Sequence, residues 1–474
     1  MLKEVLMKKV IRCMIVVFFA VNASFGCTTW LASGSVTVDG RPILHKNRDV
    51  GDDNQEYHYV DDGRIPFIGQ TYTNLETGEY WAGLNAAGFA IENSNSYNMS
   101  AGPGNNGFGY GADDGWVQAL ALATCRTVDD FEALLDSLNE NGRTHNSNYG
   151  VIDAFGGAAM FETGGYNYAR HDADDTADGF IVRSNYSYSG TGLQNRLSNW
   201  GPYRHDRAYE LMKEAVDNDE LSVEYMFRHI VRDMSIPEYN PYENGLINNY
   251  QLIGNSDHRI NRGTTRTVMI AQGVEANGNP NDAILWIMSG NPIGSVAVPL
   301  WVRAGSVPVE VDGEFCSELC EIAKDRSDYV NLPNGIDTQR LVNSEGTGLW
   351  DYMFPIEDQV FAKTRTFVSS ERFDYNLLES FQNSIASQVC TLLEEWDPVY
   401  IASERIIRST QDQAEPQPSL TVSSVYQLRE LIKPNTIVFD MLGRRISNQT
   451  VPYLPNGMYY FKADNNVNRV LIVR

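Results

Sequence analysis

The sequence predicts an α+β domain followed by a small all-β one, on three observations. From residue 27 to about 300, short strand patterns and Gly/Asn turns mix with helical stretches, without the regular strand–helix–strand repeat of a parallel sheet. Residues 408–423 (RSTQDQAEPQPSLTVS) are polar, carry two prolines and read as a linker. Beyond them come short apolar runs at 436–439, 444–446, 457–461 and 470–473, the first two joined by an Asp440-Met441-Leu442-Gly443 turn, which read as strands.

Within the first domain, residues 117–138 (VQALALATCRTVDDFEALLDSL) have apolar positions at helical spacing and divide into two helices, the second capped by Thr127. Residues 155–161 and 179–188 read as strands, and 283–289 (AILWIMS) as a buried strand. Residues 305–410 are helical, most clearly at 373–395, and are expected to complete the same domain.

The chain has 474 residues, enough for two or three domains, and 42% hydrophobic residues, enough for a real core. A net charge of −24 argues against nucleic acid and anionic membrane surfaces as partners, since both select basic proteins. Residues 1–26 have the form of a secretory leader. Lys3, Lys8, Lys9 and Arg12 precede the apolar run MIVVFFAV, and Ser24 and Gly26 are small residues before a cleavage point. No later segment is long and apolar enough to span a bilayer. Five cysteines follow the leader: Cys27, Cys125, Cys316, Cys320 and Cys390. The odd number leaves at least one thiol free in a secreted chain. Cys316 and Cys320 share a face if helical, and either has Cys390 as a candidate partner. A zinc site is disfavoured because no second Cys or His pair accompanies them.

Cleavage after Gly26 makes Cys27 the first residue, and that position has chemistry of its own. A thiol with a pKa near about 8.5 then sits beside an α-amine at about 7.7–8.0, so the amine serves as the base for its own thiol. The following segment, CTTWLASGSVTVDGRPILHKNRD, reads as a hairpin about Asp39-Gly40. With Val38 opposite Arg41, Cys27 faces Asp52, and Asp49 falls three residues, roughly 10 Å, short of the catalytic end. A bulge at Gly34-Ser35 or a turn of the chain at Asn47 closes that gap, and Asp49 then holds the α-ammonium.

At this point the residues carry a resemblance. CTT…DG…NRD, followed in order by WAGLNAAGFAIENSN (81–95), NYGVIDAFGGAAMFE (148–162), VRSNYSY (182–188) and RGTTRTVM (262–269), resembles the cysteine N-terminal-nucleophile (Ntn) hydrolases, among them choloylglycine hydrolases, penicillin V acylases and isopenicillin-N acyltransferases. The resemblance runs from Cys27 to about Leu300. It implies a four-layered αββα sandwich that cleaves linear amide C–N bonds of small molecules through an acyl-cysteine, with no metal or cofactor. It further implies Cys27 as nucleophile and Asn95 in the oxyanion hole, with Asp49 and Asn185 orienting the amine. Arg266 takes the catalytic arginine position, while Lys46 and Trp30 are expected to touch substrate. Lys46 stands where the bile-salt branch has arginine, which keeps the charge but not the fork that grips a carboxylate.

The tail resembles a different group. IVFDMLGRRI and LPNGMYYFK…RVLIVR are similar to the type A sorting domain of the type IX secretion pathway of Bacteroidetes. That resemblance implies export through the periplasm to the outside or the cell surface. The expected organisation is a signal peptide at 1–26, the hydrolase domain at 27–410, a linker at 411–423 and the sorting domain at 424–474. Two other classes stay open: an acyltransferase of the same superfamily, and a surface lipoprotein or binding module lipidated at Cys27.

Overall fold

The computed structural model describes residues 26–398, apart from 73–77, 101, 103–112, 194–200, 244, 247–251, 255, 314–315 and 334, and beyond them five short strands. The leader expected before Gly26, most of the Gly-rich stretch 102–111 and most of the linker lie outside the described residues.

Two antiparallel sheets organise the domain. The first contains β1 (Thr28–Ala32) and β2 (Ile43–Asp49). The second is a seven-stranded meander: β3 (Gln55–Val60), β4 (Phe67–Tyr72), β5 (Ala82–Asn85), β6 (Ala90–Asn95), β7 (Ser147–Ile152), β8 (Ala158–Thr163) and β9 (Tyr168–Asp172), each strand bonded to the next. The chain then returns to the first sheet with β10 (Phe180–Arg183). After the two-residue β11 (Leu252–Ile253) come β12 (Thr265–Gln272), β13 (Ile284–Ser289) and β14 (Val298–Leu300), giving the order β10-β1-β2-β12-β13-β14.

Alternation along the meander assigns its faces. On one face Ile91, Tyr149, Val151, Ala159 and Phe161 pack with Val117, Leu122, Phe131 and Leu135. Those last four come from helices α1 (Asp114–Thr124) and α2 (Val128–Asn139). On the other face Ala90, Ile152 and Met160 join the core shared with Leu31, Leu44 and Ile270 of the first sheet. Helices α3 (Pro202–Asp217), α4 (Glu318–Val330), α5 (Leu349–Val368) and α6 (Leu378–Glu394) add Met212, Leu319, Phe361 and Ile385 to that same core. Most side chains of β1, β12 and β13 are therefore buried whichever face they occupy, as strands covered on both sides require.

Several local expectations match closely. The pair of helices falls at Asp114–Thr124 and Val128–Asn139, and Thr127 caps the second through a reciprocal box with Asp130. Two strands begin later than their patterns do, Ala158–Thr163 and Phe180–Arg183, because Gly156-Gly157 and Gly179 belong to the preceding turns, and the second ends at Arg183 where the pattern runs to 188. In the tail, Leu420–Val422, Ile437–Phe439, Arg445–Ile446, Gly457–Ala463 and Asn466–Ile472 form one five-stranded sheet. Its first strand starts inside the stretch expected to be linker. None of the described helices is long and apolar enough to cross a membrane.

Candidate active site

The hairpin that carries the site is not closed by a two-residue turn. β1 ends at Ala32 and β2 begins at Ile43, with a single 3-10 turn (Gly34–Val36) and a wide loop between them. Thr28 consequently pairs with Asn47 and Thr29 with Lys46. Continuing that register sets Cys27 opposite Arg48 and one residue from Asp49. The chain departs from the hairpin at Gly34-Ser35, where an irregularity was needed, and the expected pairing of Cys27 with Asp52 does not form.

A cleft of ≈ 340 Å³ opens at this end of the sheets, lined by Cys27, Lys46, Arg48, Asp49, Tyr72, Trp81, Asn93, Asn95 and Asp114 among others. Lys46 and Arg48 share one face of β2. The Lys46 ammonium donates to the Trp81 carbonyl and to Asn93 Oδ1, both at 2.6 Å. Burial lowers its pKa, and the neighbouring Cys27 sulfur works the other way. The Arg48 guanidinium lies over the rings of Tyr72 and Trp81, 4.4 and 4.7 Å from their centroids.

Asp49 ends β2 at the bottom of the cleft, 1% exposed. Its Oδ2 accepts from Arg262 Nε at 3.0 Å and pairs with Nη2 at 2.9 Å, and its Oδ1 accepts from Thr265 Oγ1 at 2.5 Å. Burial raises the carboxyl pKa, and Arg262 and Arg204 act against that rise. Arg204 enters from the first turn of α3, with Nη1 3.9 Å from Asp49 Oδ2. That Nη1 donates to the Cys27 carbonyl and to Thr28 Oγ1, both at 2.8 Å. Gly201, at φ 72°, makes room for it, since a Cβ there would stand 2.2 Å from Arg204 Nη2. Burial, then the like charge of Arg262, brings the Arg204 pKa down to about 10.

Gly26 sits inside this charged cluster. Its carbonyl accepts from Arg262 Nη2 at 2.9 Å and Arg204 Nη1 at 3.1 Å. A Cβ at residue 26 would lie 2.2 Å from Asn185 Oδ1, so no larger residue fits without displacing Asn185. The Gly26–Cys27 peptide is thus an amide beside a thiol, its carbonyl polarised by two cations that also pair with the buried Asp49 carboxylate.

The other expected residues separate into two groups. Asn95, at the end of β6, lines the cleft, and its carbonyl accepts from Asn185 Nδ2 at 3.0 Å. Asn185 is fully buried behind it and accepts from Arg204 Nη2 at 2.7 Å, so it bridges Asn95 and the arginine. Trp30 is not at the cleft. It is 0% exposed and stacked on His45, with ring centroids 3.3 Å apart. Residue 30 lies three positions from residue 27, and an odd step along a strand reverses the face. Arg266 also stands apart from the cluster. It is the extra residue of a bulge between Thr265 (opposite Asp49) and Thr267 (opposite Arg48), and its Nε reaches the Val50 carbonyl at 3.4 Å. The guanidinium on Asp49 belongs to Arg262, four residues earlier.

Residues that pattern reading missed include Arg204, Arg262, Arg48 and Glu92. Glu92 is wholly buried between the sheets near Thr29 and Lys46, and burial holds its carboxyl well above the usual carboxylate range. Gly150, directly across from it on β7, supplies the space. The signal available was a glutamate in phase with Ala90, on the inward face of the strand. His145 lines the cleft mouth and is exposed, whereas His45 is fully buried.

The protein defined by this fold and site is a mixed α+β molecule of stacked antiparallel sheets, with a cysteine at the start of an inner strand facing a buried Asp–Arg–Arg cluster. No family model and no curated protein matches the chain. Among solved structures it is similar to two variants of the conjugated bile acid hydrolase from Clostridium perfringens. One shows 12% identity over 56% of this chain and 89% of that one at a TM-score of 0.36, the other 13% identity over the same shares at 0.35. It is also similar to the penicillin V acylase from Agrobacterium tumefaciens, with 13% identity over 62% of this chain and 88% of that one at a TM-score of 0.36. Likeness at this level carries neither an activity nor a site to this chain.

Proposed function

We propose that this chain is a linear-amide hydrolase of the Ntn type, built as a four-layered αββα sandwich, and that Cys27 becomes its nucleophile once the residues before it are removed. One observation carries the reading: Cys27 opens into the cleft while the peptide bond before it lies on the Asp49–Arg262–Arg204 cluster. Loss of Gly26 frees an α-amine there, and Asp49 holds and orients it. The amine takes the thiol proton and the thiolate attacks the substrate carbonyl. Asn95, with backbone N–H groups, stabilises the tetrahedral oxyanion. The same amine protonates the leaving nitrogen, and water then hydrolyses the acyl-cysteine. Asn185 positions Asn95 and Arg204. Lys46 and Arg48 are the cations an anionic substituent of the substrate meets.

Removal of the leader by signal peptidase and self-cleavage at Gly26–Cys27 both yield this amine. The C-terminal sheet, with its sequence resemblance to type IX sorting domains, supports export to the outside or cell surface by that machinery. Cys27→Ala tests the core of the proposal. On a panel of N-acyl amino acids, conjugated bile salts, penicillin V and N-acyl homoserine lactones, at least one amide is hydrolysed by wild type. The folded variant is expected to lose at least roughly 1,000-fold in kcat/KM. Near-wild-type turnover in that variant would overturn the mechanism.

A further inference from the structure

We propose that Cys316 and Cys320 form a redox-active dithiol, which an external disulfide closes into a bridge, and that closure loosens the 50–55 segment walling the cleft. The pair lies where α4 begins: Cys316 precedes the capping Ser317 and Cys320 lies in the first turn. All five cysteines described are free thiols, and only this pair is close in sequence. The two sulfurs lie within hydrogen-bonding reach of each other. The Lys324 ammonium lies 3.3 Å from Cys316 Sγ, one turn along from Cys320, and supplies the positive charge that a reactive thiolate needs. Cys316 is half-exposed and open to attack from outside, whereas Cys320 is buried and placed to resolve.

The same groups hold the cleft wall. Cys320 Sγ donates to the Asp53 carbonyl at 3.1 Å and Ser317 Oγ to the Gln55 carbonyl at 3.1 Å. Lys324 Nζ donates to Asn54 Oδ1 at 2.7 Å and stands 3.7 Å from Asp53 Oδ1. Val50, Gly51 and Asp52, just before those anchors, line the cleft beside Asp49. The start of α4 therefore tethers the segment between the cleft carboxylate and β3.

Oxidation proceeds by ordinary exchange. The Cys316 thiolate attacks one sulfur of the external disulfide and expels one thiolate. The Cys320 thiolate then attacks the Cys316 sulfur of the mixed disulfide, forms the Cys316–Cys320 bond and expels the second thiolate. Two electrons pass to the external disulfide, and the two protons released by the pair leave with its thiols. Cys320 thereby loses the hydrogen it donated to Asp53, and the Cys316 sulfur beside Lys324 can no longer carry a negative charge.

The test uses the full mature chain carrying Cys27→Ala, which keeps the cleft thiol out of the exchange. It is equilibrated in reduced/oxidised glutathione buffers, acid-quenched, alkylated and mapped by mass. The expected result is a peptide in which Cys316 and Cys320 have lost two hydrogens and take no alkyl group, while Cys125 and Cys390 are alkylated after unfolding. Alkylation of both sulfurs across the whole range, or glutathione left on Cys316 without resolution, overturns the dithiol. In Cys320→Ser the mixed disulfide is expected to persist. Amide hydrogen exchange over 50–55 is expected to quicken at least roughly threefold in the bridged form. Unchanged exchange in a fully bridged sample overturns the coupling. Neither readout depends on amide hydrolysis, so the outcome stands apart from the proposed function.

Discussion

At the scale of single residues, the two arginines of the RGTTRT segment separate a sequence argument from a structural one. The family resemblance selects Arg266, yet the bulge at Thr265–Thr267 takes that residue out of phase. Arg262, in the turn before the strand, folds back onto Asp49. Removing one partner of a buried ion pair leaves the other charge without compensation, at about 3–5 kcal/mol. Arg262→Gln is therefore expected to lower kcat/KM at least roughly 100-fold on any amide the enzyme hydrolyses, and to lower thermal stability. Arg266→Gln is expected to stay within about threefold, because Arg266 is only partly buried and stands outside the Asp49 cluster, where substitutions seldom cost more than about 0.5 kcal/mol. Steady-state kinetics and thermal unfolding of both variants check the assignment, and a larger loss from Arg266 would return the role to that residue.

At the scale of elements, the inner face of β6 carries a fully buried acid between the two sheets. Glu92 has a folded-state pKa raised by burial, so it binds a proton more tightly folded than unfolded. Its contribution to stability is then fully present below pH 4.5, its ordinary value, and is lost progressively as the pH rises through the folded-state value. Glu92→Gln removes that loss while keeping shape and polarity. The variant is expected to be at least as stable as wild type at pH 7, with a flatter dependence of stability on pH from 4.5 upward. Denaturant unfolding at several pH values measures this. A variant that is much less stable at pH 7 but equal at pH 4 would show that the carboxylate works in its charged form, paired with Lys46.

At the scale of the whole molecule, two boundaries bear on the proposed activity. The first is the bond before Cys27. A chain that retains one residue there has an amide in place of the proposed base, and the carbonyl of that residue occupies Arg204 and Arg262, as Gly26 does. Protein beginning at Gly26 is expected to be inactive unless it trims itself. Intact mass of the N-terminal peptide, measured alongside hydrolysis of one good amide, decides this. Full activity with the extra residue confirmed would sink the amine as base and direct attention to His145 at the cleft mouth. The second boundary is in the tail. The described strands from Leu420 onward pair only with one another, and no cleft residue comes from them. Deleting the chain from Leu420 is expected to leave turnover within about twofold while stopping export at the periplasm. Loss of turnover in a soluble truncation would make the tail part of the enzyme.

The sequence alone determined whatever depends on local periodicity and on chemistry at one position. It marked a thiol that cleavage after Gly26 would make N-terminal, two helices with a Thr127 cap, a buried strand at 283–289 and strands in the tail. Asp49 was also legible as a cleft residue from the returning hairpin, and Asn95 from the family resemblance. Tertiary structure decided the rest. The hairpin register depends on a ten-residue connection whose 3-10 turn and wide loop no two-residue turn rule describes. The face of Trp30 follows from the position of Cys27 just outside the strand. Arg204 reaches Asp49 from a helix more than 150 residues away, and Glu92 is buried only because a second sheet covers it. Long-range contacts of this kind leave no period in the chain, since the charge balance of a buried cluster is set by which segments meet and not by their order.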